Sequence, residues 1–521
     1  MKYTMMILAI LMYMGMMLYI GIRCSKKNKS SDDFYLGGRK LGPFVTAMSA
    51  EASDMSSWLL MGLPGVALIS GIIYPGGFAE AVWTAVGLAI GTYINWLIVA
   101  KPLRVYTEKT GSFTLPDFFS ARFGDKKGIL TAAAALFIVV FFVPYTASGF
   151  SAIGKLFNTL FGIDYVTVMI IGAIVVIAYT VAGGFLAASQ TDFVQSIIMT
   201  FALFVIICFG VENAGGVGAI KDSILSIEGM NLGKYFSLVG TDGSYGFLPI
   251  VSTLAWGLGY FGMPHILLRF MAIEDKNQLK LSRRVASIWV VFSMAIAILI
   301  GVIGLNFILS EGWIDLAGNP AEGFDAERIV IYFAQAIAEL DSFAAIVAGL
   351  ILSGILASTM STADSQLLAA SSAVSENIVK RFIWKDIPTK WQMWFARLTV
   401  VVISVIAIFL ALDPGASIFK IVSFAWAGFG AAFGPVVLCA LFWRRTNKWG
   451  ALAGMVSGTA VVFIWKFVVR VACAGTFLDI YELLPAFIVS LAAIIITSLL
   501  TAEPEAEVTE MFDNVKAACK E

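Results

Sequence analysis

The chain has 521 residues, of which 59% are hydrophobic and 13% charged, against about a quarter charged in an ordinary soluble domain. Its 35 Lys and Arg are balanced by 35 Asp and Glu, so no global basic field suggests nucleic acid. These bounds exclude a soluble globular fold and leave an all-α polytopic membrane protein.

A spanning helix needs about 20 apolar residues, and thirteen such stretches fall near 5–23, 43–70, 77–100, 128–156, 164–183, 185–211, 247–269, 285–309, 328–378, 394–412, 416–442, 450–471 and 483–501. The first follows Lys2, but it is longer than a signal-peptide core and has no small-residue cleavage site, so it reads as a retained helix. Basic clusters follow the first span (Lys26, Lys27, Lys29, Arg39, Lys40), the third (Lys101, Arg104, Lys109, Arg122, Lys126, Lys127) and the seventh (Lys276, Lys280, Arg283, Arg284). Loops 71–76, 311–326 and 472–480 contain no Lys or Arg. Positive charge gathers on the cytoplasmic side, which predicts an outside N-terminus and a cytoplasmic C-terminus. The 328–378 stretch reads as a long helix with an elbow. The five cysteines are scattered and form neither a disulfide framework nor a metal motif.

Asp54 lies within the second stretch, among Ser53, Ser56, Ser57, Gly62, Pro64 and Gly65. A charge at membrane depth costs at least ~2.5 kcal/mol, and hydroxyls and helix breakers around it predict an unwound helix whose carbonyls turn toward a cation. The structural alternative is a carboxylate that merely satisfies the break. Glu51 precedes Asp54 by three positions, so the two carboxylates share a face and repel unless a cation or proton intervenes. The seventh stretch, Leu254 to His265, is interrupted likewise. There Trp256, Tyr260 and Pro264 recur at intervals of four, a stripe beside which Gly257, Gly259 and Gly262 are expected to open a cavity for a small ring or an amine. His265 is read as making a local hydrogen bond. In 355–366, Ser358, Ser361 and Ser365 form a polar seam aimed into the bundle, too dense for back-bonding alone.

With the first helix set aside, spans two to six and seven to eleven form two groups of five, each opened by a broken helix. Odd-numbered units in series have opposite orientations, as an inverted repeat requires. The predicted organisation is 1–41, an extra helix and basic loop; 42–212, the first five-helix repeat; 213–246, an external loop; 247–442, the second repeat; 443–501, two peripheral helices; and 502–521, a short cytoplasmic tail. Nothing resembles a nucleophile with its base, a phosphate loop or a metal-ligand cluster, so the protein is not expected to be an enzyme.

Ala52-Ser53-Asp54-Met55-Ser56 with Trp58 to Gly65, Gly183 to Ala187 with Thr191-Asp192, and Trp256 to Gly262 with Pro264 to Leu267 resemble the sodium:solute symporter family over about residues 5–500, and within it the proline carriers. The resemblance implies a leucine-transporter-type five-plus-five inverted repeat and Na+-coupled uptake of L-proline across the bacterial inner membrane, with no obligate protein partner. It implies a sodium site on the carbonyls of Ala52, Met55 and Ser358 and the hydroxyls of Ser361 and Thr362, and substrate positions at Tyr145, Trp256, Tyr260 and Pro264. It also ties Asp54, Asp192 and Arg269 to ion coupling. Asp364 stands where a hydroxyl residue is more usual, and Glu51 and Ser57 where small residues are. If Asp364 approaches Asp192, their repulsion favours a second Na+ or a proton between them. Another small amino or organic acid as cargo, and a sensory use of the fold, are the alternatives.

Overall fold

The computed structural model describes residues 2–25, 31–70, 72–315 and 319–520; Lys26, Lys27 and Lys29 of the first basic cluster lie outside them. Among the described residues ten helices are long and apolar enough to cross a membrane, and three shorter apolar helices join them. In chain order they are α1 (Lys2–Ser25), α2 (Pro43–Asp54, then Trp58–Leu68), α3 (Gly77–Thr110), α4 (Ile129–Phe161), α5 (Tyr165–Ala178), α6 (Gly184–Asn213) and α7 (Phe247–Gly262, then Pro264–Ala272). The remainder are α8 (Leu279–Ser310), α9 (Ser342–Val374), α10 (Thr389–Leu410), α11 (Ile418–Phe442), α12 (Lys448–Ala472) and α13 (Leu483–Leu500). Among the described residues there are isolated bridges but no strands.

Local chemistry fixes the helix ends. Asp164, Asp341, Ser417 and Asn447 each accept a hydrogen bond from a backbone N–H three residues on, capping α5, α9, α11 and α12. Asp341 also forms the elbow expected in 328–378, with a shorter helix, Ile329–Ala338, before it. Gly184, at φ 72° and ψ 177°, separates α5 from α6, a conformation that side chains resist. The loop after α6 contains two short helices, Val217–Ser226 and Leu232–Tyr235, and the tail forms a helix, Ala506–Ala518.

The two groups of five interlock reciprocally. In each group the broken helix packs on the fifth helix, α2 on α6 and α7 on α11, and each also packs on the second helix of the other group, α2 on α8 and α7 on α3. Backbone meets backbone at the crossings. A Cβ on Gly301 of α8 would stand 2.4 Å from the Pro64 carbonyl oxygen, and one on Gly91 of α3 would stand 2.3 Å from that of Gly257. Helix α1 lies outside this core against α6 and α9, while α12 and α13 pair with each other and with α11.

Substituting Gly91→Leu or Gly301→Leu should therefore force a broken helix off its partner, at a cost of about 1–3 kcal/mol for overpacking. Thermal melting of the detergent-solubilised protein is expected to shift downward for both. An unchanged midpoint would contradict the close crossing.

Candidate functional site

Helix α2 stops at Asp54 because Met55 leaves helical geometry (φ −74°, ψ 69°), and the chain resumes at Trp58. Carbonyls freed inside a membrane must be satisfied by protein. The Asp54 carbonyl accepts the Trp58 indole N–H at 3.0 Å, the Tyr145 hydroxyl at 3.2 Å and the Ser56 N–H at 2.8 Å. The Asp54 side chain, wholly buried, accepts the Tyr260 hydroxyl at 2.6 Å on Oδ2, while Oδ1 has no partner.

Helix α7 breaks differently. Ala255–Gly262 is a 3-10 segment, Met263 turns to ψ 109°, and Pro264 starts the second half. Three residues per turn place Trp256 and Tyr260 about 120° apart, so the expected single stripe is split. Tyr260 faces Asp54, whereas Trp256 lies among Tyr481 (stacked, 5.2 Å), Phe419 (5.2 Å) and Trp58 (6.2 Å). Nor do the glycines open a cavity: a Cβ on Gly259 would lie 1.9 Å from the Trp426 indole nitrogen and one on Gly262 2.3 Å from the Phe429 carbonyl oxygen. They admit α11, and the Trp426 indole donates to the Trp256 carbonyl at 2.7 Å. The local hydrogen bond expected of the His265 side chain is not formed: both ring nitrogens are buried without a partner beside Phe142 and Tyr145, and only the His265 carbonyl is engaged, by Arg269 Nη1 at 2.8 Å.

Of the five oxygens expected to hold Na+, three are joined. Ser361 Oγ contacts the carbonyls of Ala52 at 2.8 Å and Ser358 at 3.2 Å, linking α9 to the end of the first half of α2. The Thr362 hydroxyl, next in sequence, is buried without a partner, and Met55 occupies the break itself. The Ser358 hydroxyl back-bonds to Ile355, leaving its carbonyl as the relevant oxygen. An orphaned buried hydroxyl beside carbonyls already gathered suits a hard cation with oxygen ligands.

Asp192 and Asp364 do join one network, but a cation of the protein stands between them. Arg269 Nη2 donates to Asp192 Oδ2 at 3.1 Å and to Ser365 Oγ at 2.5 Å; Ser365 donates to Asp364 Oδ1 at 3.2 Å. Ser49 donates to Asp192 at 2.7 Å and accepts Arg269 Nε at 3.0 Å. Asp192 Oδ1 and Asp364 Oδ2 are buried without partners. Ser365 belongs to the polar seam read in the sequence, whereas Ser49 escaped that reading because only the fold brings it to Arg269.

A cavity of about 860 Å3 opens on the face carrying the loops poor in Lys and Arg, and Trp256 lies in its wall. Tyr145, Tyr260 and Pro264 do not line it. Its wall includes Lys155, which pairs with Asp325 at 2.9 Å and Glu327 at 2.7 Å. Glu327 in turn accepts the N–H groups of Ile418 (3.0 Å) and Phe419 (3.1 Å) at the start of α11. On the opposite face, arginines tie the end of α7 down. Arg39 donates to the carbonyls of Met271 and Ser112, both at 2.7 Å, and Arg104 to that of Ile273 at 2.7 Å, fastening the end of α7 to α3.

Comparison with known proteins places this geometry. The profile of the sodium:solute symporter family matches residues 34–458. The sodium/proline symporter of Escherichia coli (strain K12) is 42% identical over 515 residues, 99% of this chain and 97% of that protein. The high-affinity proline transporter PutP of Bacillus subtilis (strain 168) is 42% identical over 499 residues, 96% and 98% of the two chains. Among solved structures, a Na+-coupled sialic acid symporter in a substrate-bound outward-open state superposes with a TM-score of 0.76 over 96% of this chain and 98% of its own, at 18% identity.

Arg269→Gln should leave Asp192 and Asp364 buried without a countercharge, destabilising the protein by about 3–5 kcal/mol. Combining it with Asp192→Asn is expected to recover much of the loss. A thermal-stability cycle of the two single variants and the double variant measures the coupling, and additive effects would refute it.

Proposed function

The chain belongs to the sodium:solute symporter family, and from that premise we propose that it couples Na+ influx to the uptake of L-proline by alternating access. It is a multi-pass membrane transporter with the leucine-transporter-type five-plus-five inverted repeat, and its family points to transport rather than covalent chemistry. The proline assignment is supported by relatives that are 42% identical along nearly their whole length.

The observation that carries the mechanism is the junction of α2 and α9. Na+ enters among the carbonyls of Ala52, Met55 and Ser358 and the hydroxyls of Ser361 and Thr362. Ser361 then turns its O–H away from the Ala52 carbonyl, so that both oxygens face the ion. Binding ties the break in α2 to α9 and favours the state open on the cavity side, a population shift set by the ion's differential affinity for the two states. L-proline approaches through the cavity past Trp256, and Tyr145, Tyr260 and Pro264 supply the deeper contacts as it closes. Asp54 holds Tyr260 in register with the break, so ion and substrate act on one stretch of backbone. Each net charge carried inward gains about 2.3 kcal/mol per 100 mV. The lysine- and arginine-poor face is then the outside, with an external N-terminus, a cytoplasmic C-terminus and residence in the bacterial inner membrane. Residues 42–212 and 247–442 form the two repeats.

In proteoliposomes, an inward Na+ gradient should drive accumulation of labelled proline, and no accumulation would refute the coupling. Ser361→Ala or Thr362→Ala should raise the Na+ concentration for half-activation about tenfold, ~1.4 kcal/mol for a lost ligand, with little change in proline affinity at saturating Na+. Trp256→Ala and Tyr260→Ala should do the reverse, raising the proline constant at saturating Na+. Variants that all shift both constants equally would argue against separate ion and substrate positions.

A further inference from the structure

Glu51 has no part in the sodium site described above, yet its carboxylate is wholly buried. Oε1 accepts the Trp96 indole N–H at 2.9 Å and the Thr92 hydroxyl at 3.0 Å, both on α3, and Oε2 meets no partner. One helical turn on, Asp54 Oδ1 is also without a partner. A third orphaned oxygen is neutral: Asn95 Oδ1, on a fully buried side chain of α3 between Thr92 and Trp96. Asn95 Nδ2 donates to the Tyr260 carbonyl at 3.0 Å, and the Tyr260 hydroxyl donates to Asp54 at 2.6 Å. Tyr260 thus holds Asn95 and Asp54 to one residue, while the two donors to Glu51 flank Asn95 in sequence. Glu51 and Asp54, three residues apart, share a face of the first half of α2.

No lysine or arginine among the described residues forms a salt bridge with either carboxylate, and the buried Arg269 is engaged by Asp192. Buried polar atoms without partners are uncommon in native proteins, and here three belong to side chains of two helices that are linked through Thr92, Trp96 and Tyr260. The free atoms are all oxygen, two of them from carboxyl groups, a set suited to a hard cation rather than a soft one. We propose that Glu51 Oε2, Asp54 Oδ1 and Asn95 Oδ1 form a second Na+ site, separate from the oxygens shared by α2 and α9, so that two Na+ accompany each substrate. The proposal rests on the reading of the protein as a Na+-coupled proline transporter. The second ion ties α2 to α3 as the first ties it to α9, bracing the break from both sides. Asp54, one residue from Met55, sits between the two ions.

The test is the ratio of radiolabelled Na+ to radiolabelled proline taken up by proteoliposomes containing the full-length protein at a clamped membrane potential. Two Na+ per proline in the wild type, falling to one in Glu51→Gln, is the expected result. One Na+ per proline in the wild type would overturn the second site while leaving Na+-coupled uptake intact, and a second charge without a second Na+ would assign that charge to a proton and overturn it equally. A ratio that falls in Asp364→Ser but not in Glu51→Gln would also overturn it, moving the ion to the network of Asp192. If Glu51→Gln inserts but transports too slowly, equilibrium binding of radiolabelled Na+ to the purified wild type decides: two ions per chain support the site and one rejects it. Absence of any Na+-driven proline uptake in the wild type would overturn the transport reading and this one together.

Discussion

A carbonyl released from a helix inside a membrane has no water to turn to, and that constraint organises the centre of this protein. The Asp54 carbonyl draws Trp58, Tyr145 and Ser56 onto itself, and the side chain of the same residue draws Tyr260 from the opposite repeat. The Trp256 and Tyr260 carbonyls, loosened by the 3-10 segment, collect Trp426 and Asn95 in the same way. Five helices thereby converge on two short irregular stretches. In the proposed mechanism, conserving hydrogen bonds and building a binding site are partly one act, because Tyr145, Tyr260 and Asn95 satisfy the breaks and are also assigned to substrate or ion.

The converse requirement is that everything around the breaks be held close. Glycine at the α2–α8 and α3–α7 crossings lets backbones touch, and Arg39 and Arg104 fasten the end of α7 on one face while a wide cavity opens on the other. Rigid crossings beside irregular hinges favour discrete arrangements over gradual deformation.

The sequence carried much of this, and the reasons it did are physical. Thirteen apolar stretches, the elbow near 340 and the break after Asp54 follow from hydropathy, capping and helix breakers, which are local properties. The hydroxyl run on α9 announced a polar seam because its density exceeded what back-bonding explains. What stayed hidden depended on rotation or on distance. The 3-10 winding of α7 is not written in the spacing of Trp256 and Tyr260, which looks helical, so one stripe was read where the fold makes two faces. The same glycines that suggest openness serve close contact, since a missing Cβ leaves room for either. Arg269 standing between Asp192 and Asp364 is a tertiary fact. Thr92, Asn95 and Trp96, polar groups on one face of the apolar middle of α3, were a legible signal that went unread.

Glu327 does two things at once in the cavity wall: it caps the start of α11 and neutralises Lys155. The pair is shielded, with Lys155 only 1% exposed and Glu327 10%, whereas the tail helix is tethered through Lys126 and Glu505, whose side chains are 73% and 56% exposed. Mobile ions screen the second kind of contact and scarcely reach the first. The ion pair in the cavity wall therefore persists in brine and in dilute medium alike, while on the opposite face rising salinity leaves the tail helix to the packing of Val508, Phe512 and Val515.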